Sequence, residues 1–286
     1  MDSVTFLEGI KYLMKIGTLS DLHIDRNDEY SGLDLEKNLA EIISEKEIEC
    51  LLIAGDISNH YETTHNFIKK VEQLSRIPVL FVPGNHDYWA RDHDVTNTRE
   101  INAFFNKQSY SLVGKPKLIG ENWAIAGTPG WYDYGYGNSE RYDEAAFEKK
   151  QYGFASWNDR HYVDWGKSDQ QVSSDMLTQL YSDLKTVADR HIILMTHVAT
   201  HPQFVIPLPH RIYNYANAFL GAKSYEQVYT DFPAIKYSIM GHVHFRKVIK
   251  DKERTYITAC VGNHKHWKIK DFKTQINKSL VTFDIN

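Results

Sequence analysis

The strongest constraint on the fold is a set of short apolar runs, each ending in a polar group able to bind metal. Met14 to Ser20 leads into Asp21-Leu22-His23, and Cys50 to Ala54 leads into Gly55-Asp56. Val79 to Val82 leads into Pro83-Gly84-Asn85-His86-Asp87, Ile192 to Met195 into Thr196-His197, and Ile235 to Met240 into Gly241-His242-Val243-His244. Apolar runs this short, bounded by glycine or proline, suit buried strands better than helices. Where the backbone stays extended past the run, residues two apart share a face. Asp21 then points the same way as His23, and His242 the same way as His244. Asn85 and His86 are adjacent, so extended backbone aims them apart and predicts that one binds metal while the other does something else.

Helices alternate with these runs. Residues 34–47 place Leu35, Leu39, Ile42 and Ile43 on one face, and residues 62–75 do the same with Phe67, Val71 and Leu74. A serine cap and the set Leu177, Leu180, Leu184 and Val187 predict a helix over about 174–189. Shorter strands are expected near 192–196, 236–240, 246–250, 255–261 and 279–285. The order of elements indicates an α/β protein with its polar strand ends gathered at one edge, where open α/β sheets bind ligands.

Asp21, His23, Asp56, Asn85, His197, His242 and His244 offer oxygen and imidazole nitrogen but no thiolate. That donor set suits divalent manganese, iron or zinc. It is too large for one tetrahedral ion. With Asp56 bridging, it divides evenly between two ions at the roughly 3.5–4 Å spacing of two-metal hydrolytic sites. Two dications against two carboxylates leave such a centre positive and attractive to phosphate, and Asn85 in place of an aspartate helps keep it so.

The ordered blocks Asp-x-His, Gly-Asp, Gly-Asn-His-Asp, a lone His and Gly-His-x-His, spread over residues 21 to 244, resemble the calcineurin-like metallophosphoesterase superfamily. The resemblance implies a four-layer α/β/β/α sandwich of two mixed sheets flanked by helices. It implies one metal held by Asp21, His23, Asp56 and His244, and a second by Asp56, Asn85, His197 and His242. It further implies a phosphoester hydrolase with a bridging hydroxide, in which Asp56 and His86 are catalytic and His86 protonates the leaving group. Asp87 is expected to fix the loop. Phosphoprotein phosphatases of this superfamily carry an Asp-Arg pair just after the bridging aspartate, the arginine gripping phosphate and the aspartate orienting the histidine. Here the chain reads Asp56-Ile57-Ser58-Asn59-His60. It therefore looks more like the small bacterial phosphoesterase and phosphodiesterase branches, with the group that orients His86 left open.

At 286 residues the chain is expected to form one domain, with residues 14–130 and 168–286 as core and residues 131–167 as a lid-like insertion. Eleven of those 37 insertion residues are Trp, Tyr or Phe, without steady helical or strand period. A stretch of that kind is either a binding lid or a satellite core. Asp133, Trp157, Asp159 and Arg160 are its candidate substrate contacts, Arg160 being the natural partner for an anion. A second insertion, His201 to Tyr229, contributes His201, His210 and Arg211 as candidates. His60, His65, His93, His161 and His191 lack ligand-like spacing and read as surface or locally bonded residues. His264 and His266 follow a strand but are surplus to a complete ligand set.

Cys50 and Cys260 lie in apolar runs and read as reduced packing residues. A net charge of −4 disfavours a nucleic-acid partner, and the lysine-rich stretches 246–254 and 265–273 read as solvated faces. No run is long and apolar enough to span a membrane, and residues 1–13 lack a basic start or cleavage pattern, so a cytoplasmic enzyme is expected. Residues 1–13 read as a short extra strand or an unused upstream start. A small phosphomonoester or phosphodiester is the expected partner. A nuclease of the same superfamily and a non-catalytic metal-binding scaffold are the alternatives.

Overall fold

A computed structural model describes residues 13–26, 34–89 and 97–286 of the chain. The reading of residues 1–13 therefore falls, all but Leu13, outside the described residues, as does that of His93. The strands are β1 (Met14–Leu19), β2 (Cys50–Ile53), β3 (Val79–Phe81), β4 (Lys117–Ile119), β5 (Trp123–Thr128), β6 (Gln151–Tyr152), β7 (Ala155–Ser156), β8 (His191–Thr196), β9 (Ile235–Met240), β10 (Arg246–Lys250), β11 (Thr255–Ala259) and β12 (Val281–Ile285). One sheet runs β12-β1-β2-β3, with β12 antiparallel to β1 and the rest parallel. The other runs β10-β11-β9-β8-β5-β4, parallel through its centre and antiparallel at both edges. A separate hairpin joins β6 to β7.

Side-chain alternation along the strands builds the layers. Ile16, Cys50 and Leu52 of the first sheet meet Ile125, Ile193, Met195, Ile239 and Ile257 of the second in one buried cluster, the core between the sheets. The odd partners Leu19, Leu51 and Ile53 face the opposite way, onto Leu39, Ile42, Phe67 and Val71 of helices Leu35–Glu45 and Tyr61–Ser75. On the far side, Ala124, Ala126, Ile192 and Leu194 pack under Leu180 and Leu184. The result is a four-layer α/β/β/α sandwich, with two mixed sheets as the repeated motifs imply.

Helix Asp169–Lys185 begins earlier than the 174 expected. Ser168 Oγ accepts from Gln171 N while Gln171 Oε1 accepts from Ser168 N, a reciprocal cap that fixes the start there. The leucine spacing begins only at Leu177, a turn or more later, whereas the first turns bury Val172 and Ser173. The helix also ends at Lys185, leaving Val187 beyond it. β5 and helix Thr98–Lys107 are absent from the pattern reading: β5 is fully buried, so its Trp-Ala-Ile-Ala-Gly-Thr sequence shows no alternation.

The aromatic stretch 131–167 is mostly packed. Trp131, Tyr132, Tyr134, Phe147 and Trp165 join the helix-side core, together with Tyr215 and Phe219 of the second insertion. No helix among the described residues is long and apolar enough to cross a membrane.

Candidate metal centre

The polar residues at the strand ends converge, but not by extended backbone. β1 stops at Leu19, β2 at Ile53 and β9 at Met240, and beyond them Asp21, His23, Asp56, His242 and His244 all take positive φ, between 44° and 70°. Left-handed backbone at a non-glycine residue costs about 1–3 kcal/mol and persists where the surroundings impose it. Here the surroundings are a lattice of backbone bonds. Asp21 N donates to Gly55 O, His23 N to Asp56 O, and Gly241 N to His197 O. Asn85 and His86 do diverge, though not because the chain is extended: Asn85 is helical at φ −63° and ψ −34°, and His86 opens a short 3-10 turn.

Two groups of donor atoms form. Asp21, His23, Asp56 and His244 each bring one ligand atom within 4.8 Å of the others, and Asp56, His197 and His242 do the same. Asn85 Oδ1 adds to the second group at 3.1 Å from His197 Nε2. His23 Nε2 and His244 Nε2 face each other at 3.0 Å, and His244 Nε2 lies 3.4 Å from Asp21 Oδ1. Asp56 stands between the groups, with Oδ1 3.4 Å from His197 Nε2 and Oδ2 3.8 Å from His23 Nε2.

The tautomers show what these atoms can bind. His197 Nδ1 donates to Ala54 O at 2.8 Å, and His242 Nε2 donates to Phe219 O at 2.9 Å. Each neutral ring then turns a bare lone pair inward, and the two bare nitrogens sit 3.2 Å apart beside the Asn85 carbonyl oxygen. Acceptors facing acceptors, with no proton between them, fit a cation. Asp56 Oδ2 is fully buried without a hydrogen-bond donor, a deficit that coordination to a cation would relieve. Burial drives the His197 pKa down to about 3, and burial also lowers that of His242, keeping both rings in the neutral state a metal requires.

The carboxylates carry the opposite strain. Burial, with Asp21 and Asp87 close by, pushes Asp56 well above the ordinary carboxylate range. Burial also pushes Asp21 upward, but His244, His197 and His23 outweigh it and hold Asp21 below its usual value. Each carboxylate disfavours ionisation of the other, a cost that cations between them would offset.

Other groups hold the frame. Asp87 accepts from Asp56 N, Ile57 N, Ser58 N, Gly84 N and Thr64 Oγ1 at 2.7–3.3 Å, so it clasps both ligand loops. Cys260 is more than packing, because its thiol donates to Asp21 Oδ2 at 2.8 Å. Asn59 Oδ1 meets His86 Nδ1 at 2.7 Å and so occupies the orienting position that the sequence leaves open.

A cavity of about 420 Å³ opens beside His86, Asp56, Asn85, His242 and His244. Its outer wall is Trp89, Trp157, Ile212, Tyr213 and Leu220, and no lysine or arginine lines it among the described residues. Several proposed substrate contacts lie elsewhere. Arg160 is exposed and bonds Gln151 Oε1, its exposed position on the short helix Asp159–Tyr162 turning it from the cleft. His201 packs on Tyr256 and caps the turn at Gln203, and Arg211 is exposed with its carbonyl held by Tyr152. Neither lines the cavity; Ile212 and Tyr213, next to Arg211, do. His210 receives Ile212 N and Tyr213 N, and Asp133 ties the two insertions through Lys223 N and Ser224 N. Trp157 does line the cleft. Asp159 borders it, but the carboxylate is only 1 % exposed and accepts from Asn85, Trp89 and Trp157.

A family model described as calcineurin-like phosphoesterase matches residues 14–246. A Fibrobacter succinogenes protein described as a probable cyclic nucleotide phosphodiesterase is 35% identical over 82 residues, 27% of this chain and 32% of that protein. A Vesicomyosocius okutanii protein of the same description is 32% identical over 110 residues, 36% of this chain and 43% of that one. The chain thus spans less than half the length of these relatives. Among solved structures, a phosphopantetheinyl hydrolase from Mycobacterium tuberculosis shares the fold at TM-score 0.68 and 18% identity, covering 90% of this chain and 94% of that one. A dimetal phosphatase from Danio rerio does so at TM-score 0.52 and 14% identity, covering 86% of each.

Proposed function

The chain belongs to the calcineurin-like phosphoesterase family, and from that premise we propose that it is a dinuclear metal-dependent hydrolase of small phosphodiesters. Cyclic nucleotides, named for its relatives, are the leading substrates. The observation that carries this reading is the inward-facing set of acceptors. Asp21, His23, Asp56 and His244 would hold one ion and Asp56, Asn85, His197 and His242 the other, with manganese, iron or zinc all suited to the donors. When bound, two such ions supply Lewis-acid polarisation of the phosphoryl group and activation of water near neutral pH.

The chain's own residues account for the rest. His86 Nδ1–H, donated to Asn59 Oδ1, leaves Nε2 to carry the proton that the departing oxygen takes up. Asp56 Oδ2 lies 3.9 Å from that nitrogen, which places the proton carrier at the edge of the ligand set. The cleft wall of Trp89, Trp157, Ile212, Tyr213 and Leu220 suits a planar or apolar ester group. A phosphodiester carries one negative charge and a monoester two, so a wall that has no lysine or arginine among the described residues favours the diester. The net charge of −4 counts against a nuclease, which needs cations along a phosphate backbone. A cytoplasmic location belongs to this reading and is supported by two buried, unpaired cysteines.

The test is a substrate panel on the manganese-loaded protein: p-nitrophenyl phosphate, bis-p-nitrophenyl phosphate, 3',5'- and 2',3'-cyclic nucleotides, and single-stranded DNA. Diesters and at least one cyclic nucleotide should give the higher kcat/KM. Turnover of monoesters alone would reverse the diester assignment, turnover of DNA alone would favour the nuclease, and turnover of none would leave the scaffold.

A further inference from the structure

Asp159 lies in the aromatic insertion, outside every motif of the metal centre, yet it touches that centre. Asn85 Nδ2 donates to both of its carboxylate oxygens, at 2.9 and 3.1 Å, across 74 residues of chain. The same carboxylate accepts from Trp89 Nε1 at 2.7 Å, Trp157 Nε1 at 2.8 Å and Tyr132 Oη at 3.4 Å. It is buried, and no lysine or arginine forms an ion pair with it among the described residues. A buried carboxylate answered only by neutral donors is costly to keep, so the bonds it makes need a use.

An asparagine ligand raises a problem that an aspartate ligand does not. Its two ends differ, and only the carbonyl oxygen can face a cation. Asp159, a pure acceptor, can receive only the amide end, which forces Asn85 Oδ1 toward His197 and His242. We propose that Asp159 is a positioning residue that locks Asn85 in its metal-binding orientation, so that the insertion completes the second ion's site. The same carboxylate also fixes two indoles of the cleft wall, so one group joins metal retention to the shape of the substrate cavity. Outer partners of this kind are worth about 10–100-fold in metal affinity.

The inference rests on the two-ion reading, and the experiment keeps them apart. Manganese is titrated calorimetrically into chelator-stripped wild type, Asp159→Asn, Asp159→Ala and Trp157→Phe, each checked for native near-ultraviolet dichroism. In Asp159→Asn the new amide nitrogen meets an indole N–H and Asn85 Nδ2 donor against donor, leaving one oxygen to hold Asn85, and in Asp159→Ala Asn85 is freed to turn. Wild type should bind two ions. Both Asp159 variants should hold one of them about 10–100-fold more weakly and leave the other unchanged. Trp157→Phe, which removes an indole donor but not the Asn85 bond, should keep both constants and so guards against general loosening. Two unchanged constants in Asp159→Ala overturn the positioning role while leaving the two-ion reading intact, as does an equal loss in Trp157→Phe. Fewer than two ions in wild type overturns the two-ion reading, and the inference falls with it.

Discussion

Replacing Asn59 with alanine isolates the group that orients His86. The perturbation is confined, because Asn59 N is tied to Asp25 Oδ2 at 2.8 Å and the neighbouring Ser58 N to Asp87 Oδ1, so the loop keeps its path without the side chain. Lost is one bond of 2.7 Å between Asn59 Oδ1 and His86 Nδ1. His86 keeps its backbone bond to Asp56 Oδ1 at 2.8 Å and its ring contact with Trp89 at 3.9 Å between centroids, which limits how far the imidazole can turn. With a proton on each ring nitrogen the donor is an imidazolium, and a hydrogen bond from a charged group is worth about 1.5–3 kcal/mol. At 1.36 kcal/mol per factor of ten, Asn59→Ala should lower kcat on a diester with an alkyl leaving group by roughly 13- to 160-fold. His86→Ala should cost about 10²–10⁴-fold on the same substrate. The assay compares that substrate with bis-p-nitrophenyl phosphate, whose leaving group departs without a proton and should barely respond to either change. Metal content should stay at the wild-type level in Asn59→Ala. Equal losses on both substrates would show that His86 grips phosphoryl oxygens rather than donating a proton, and the reasoning about Asn59 would fail with it.

Gly84→Ala would set a Cβ 2.2 Å from Asp56 Oδ1 and 2.6 Å from His197 Cε1, so it should reduce metal content and cost about 1–3 kcal/mol of stability, read from thermal melts; a variant with wild-type metal and melting temperature would contradict the packing described. In the metal-free protein, burial holds His197 at about 3, so its imidazole carbon shifts should not move between pH 8 and pH 5, whereas a midpoint near 6.5 would refute the burial argument. Because that pKa lies below the unfolded value of 6.5, the stability contributed by neutral His197 is complete above about pH 6.5 and is lost as pH falls from there toward 3.

What the sequence disclosed follows from how local each feature is. The runs that became β1, β2, β3, β8 and β9 each carry their own signal in a few residues, and their polar ends stand in the chain as motifs, so these strands and the groups that gather at their ends are legible. The means of convergence is less so: left-handed turns at Asp21, His23, His242 and His244 leave no mark in a pattern of apolar and polar residues. The supporting groups are harder still. Asn59 meets His86 across 27 residues, Asp159 meets Asn85 across 74 and Cys260 meets Asp21 across 239, and each depends on packing that no short window contains. A usable hint existed for Asn59, an amide three residues beyond Asp56 in a chain lacking the Asp-Arg pair. Arg160 shows the converse, since charge type alone suggested a phosphate contact and its place on the insertion surface removes it from the cleft.

The account turns on Asp56 being shared, and metal stoichiometry tests this most directly. Protein purified without chelator and equilibrated with manganese is assayed by elemental mass spectrometry alongside Asp56→Asn. Wild type should carry two ions per chain and Asp56→Asn one or none, because an amide offers one oxygen and no charge where the carboxylate serves both groups. Two ions retained in Asp56→Asn, or none in wild type, would contradict the claim.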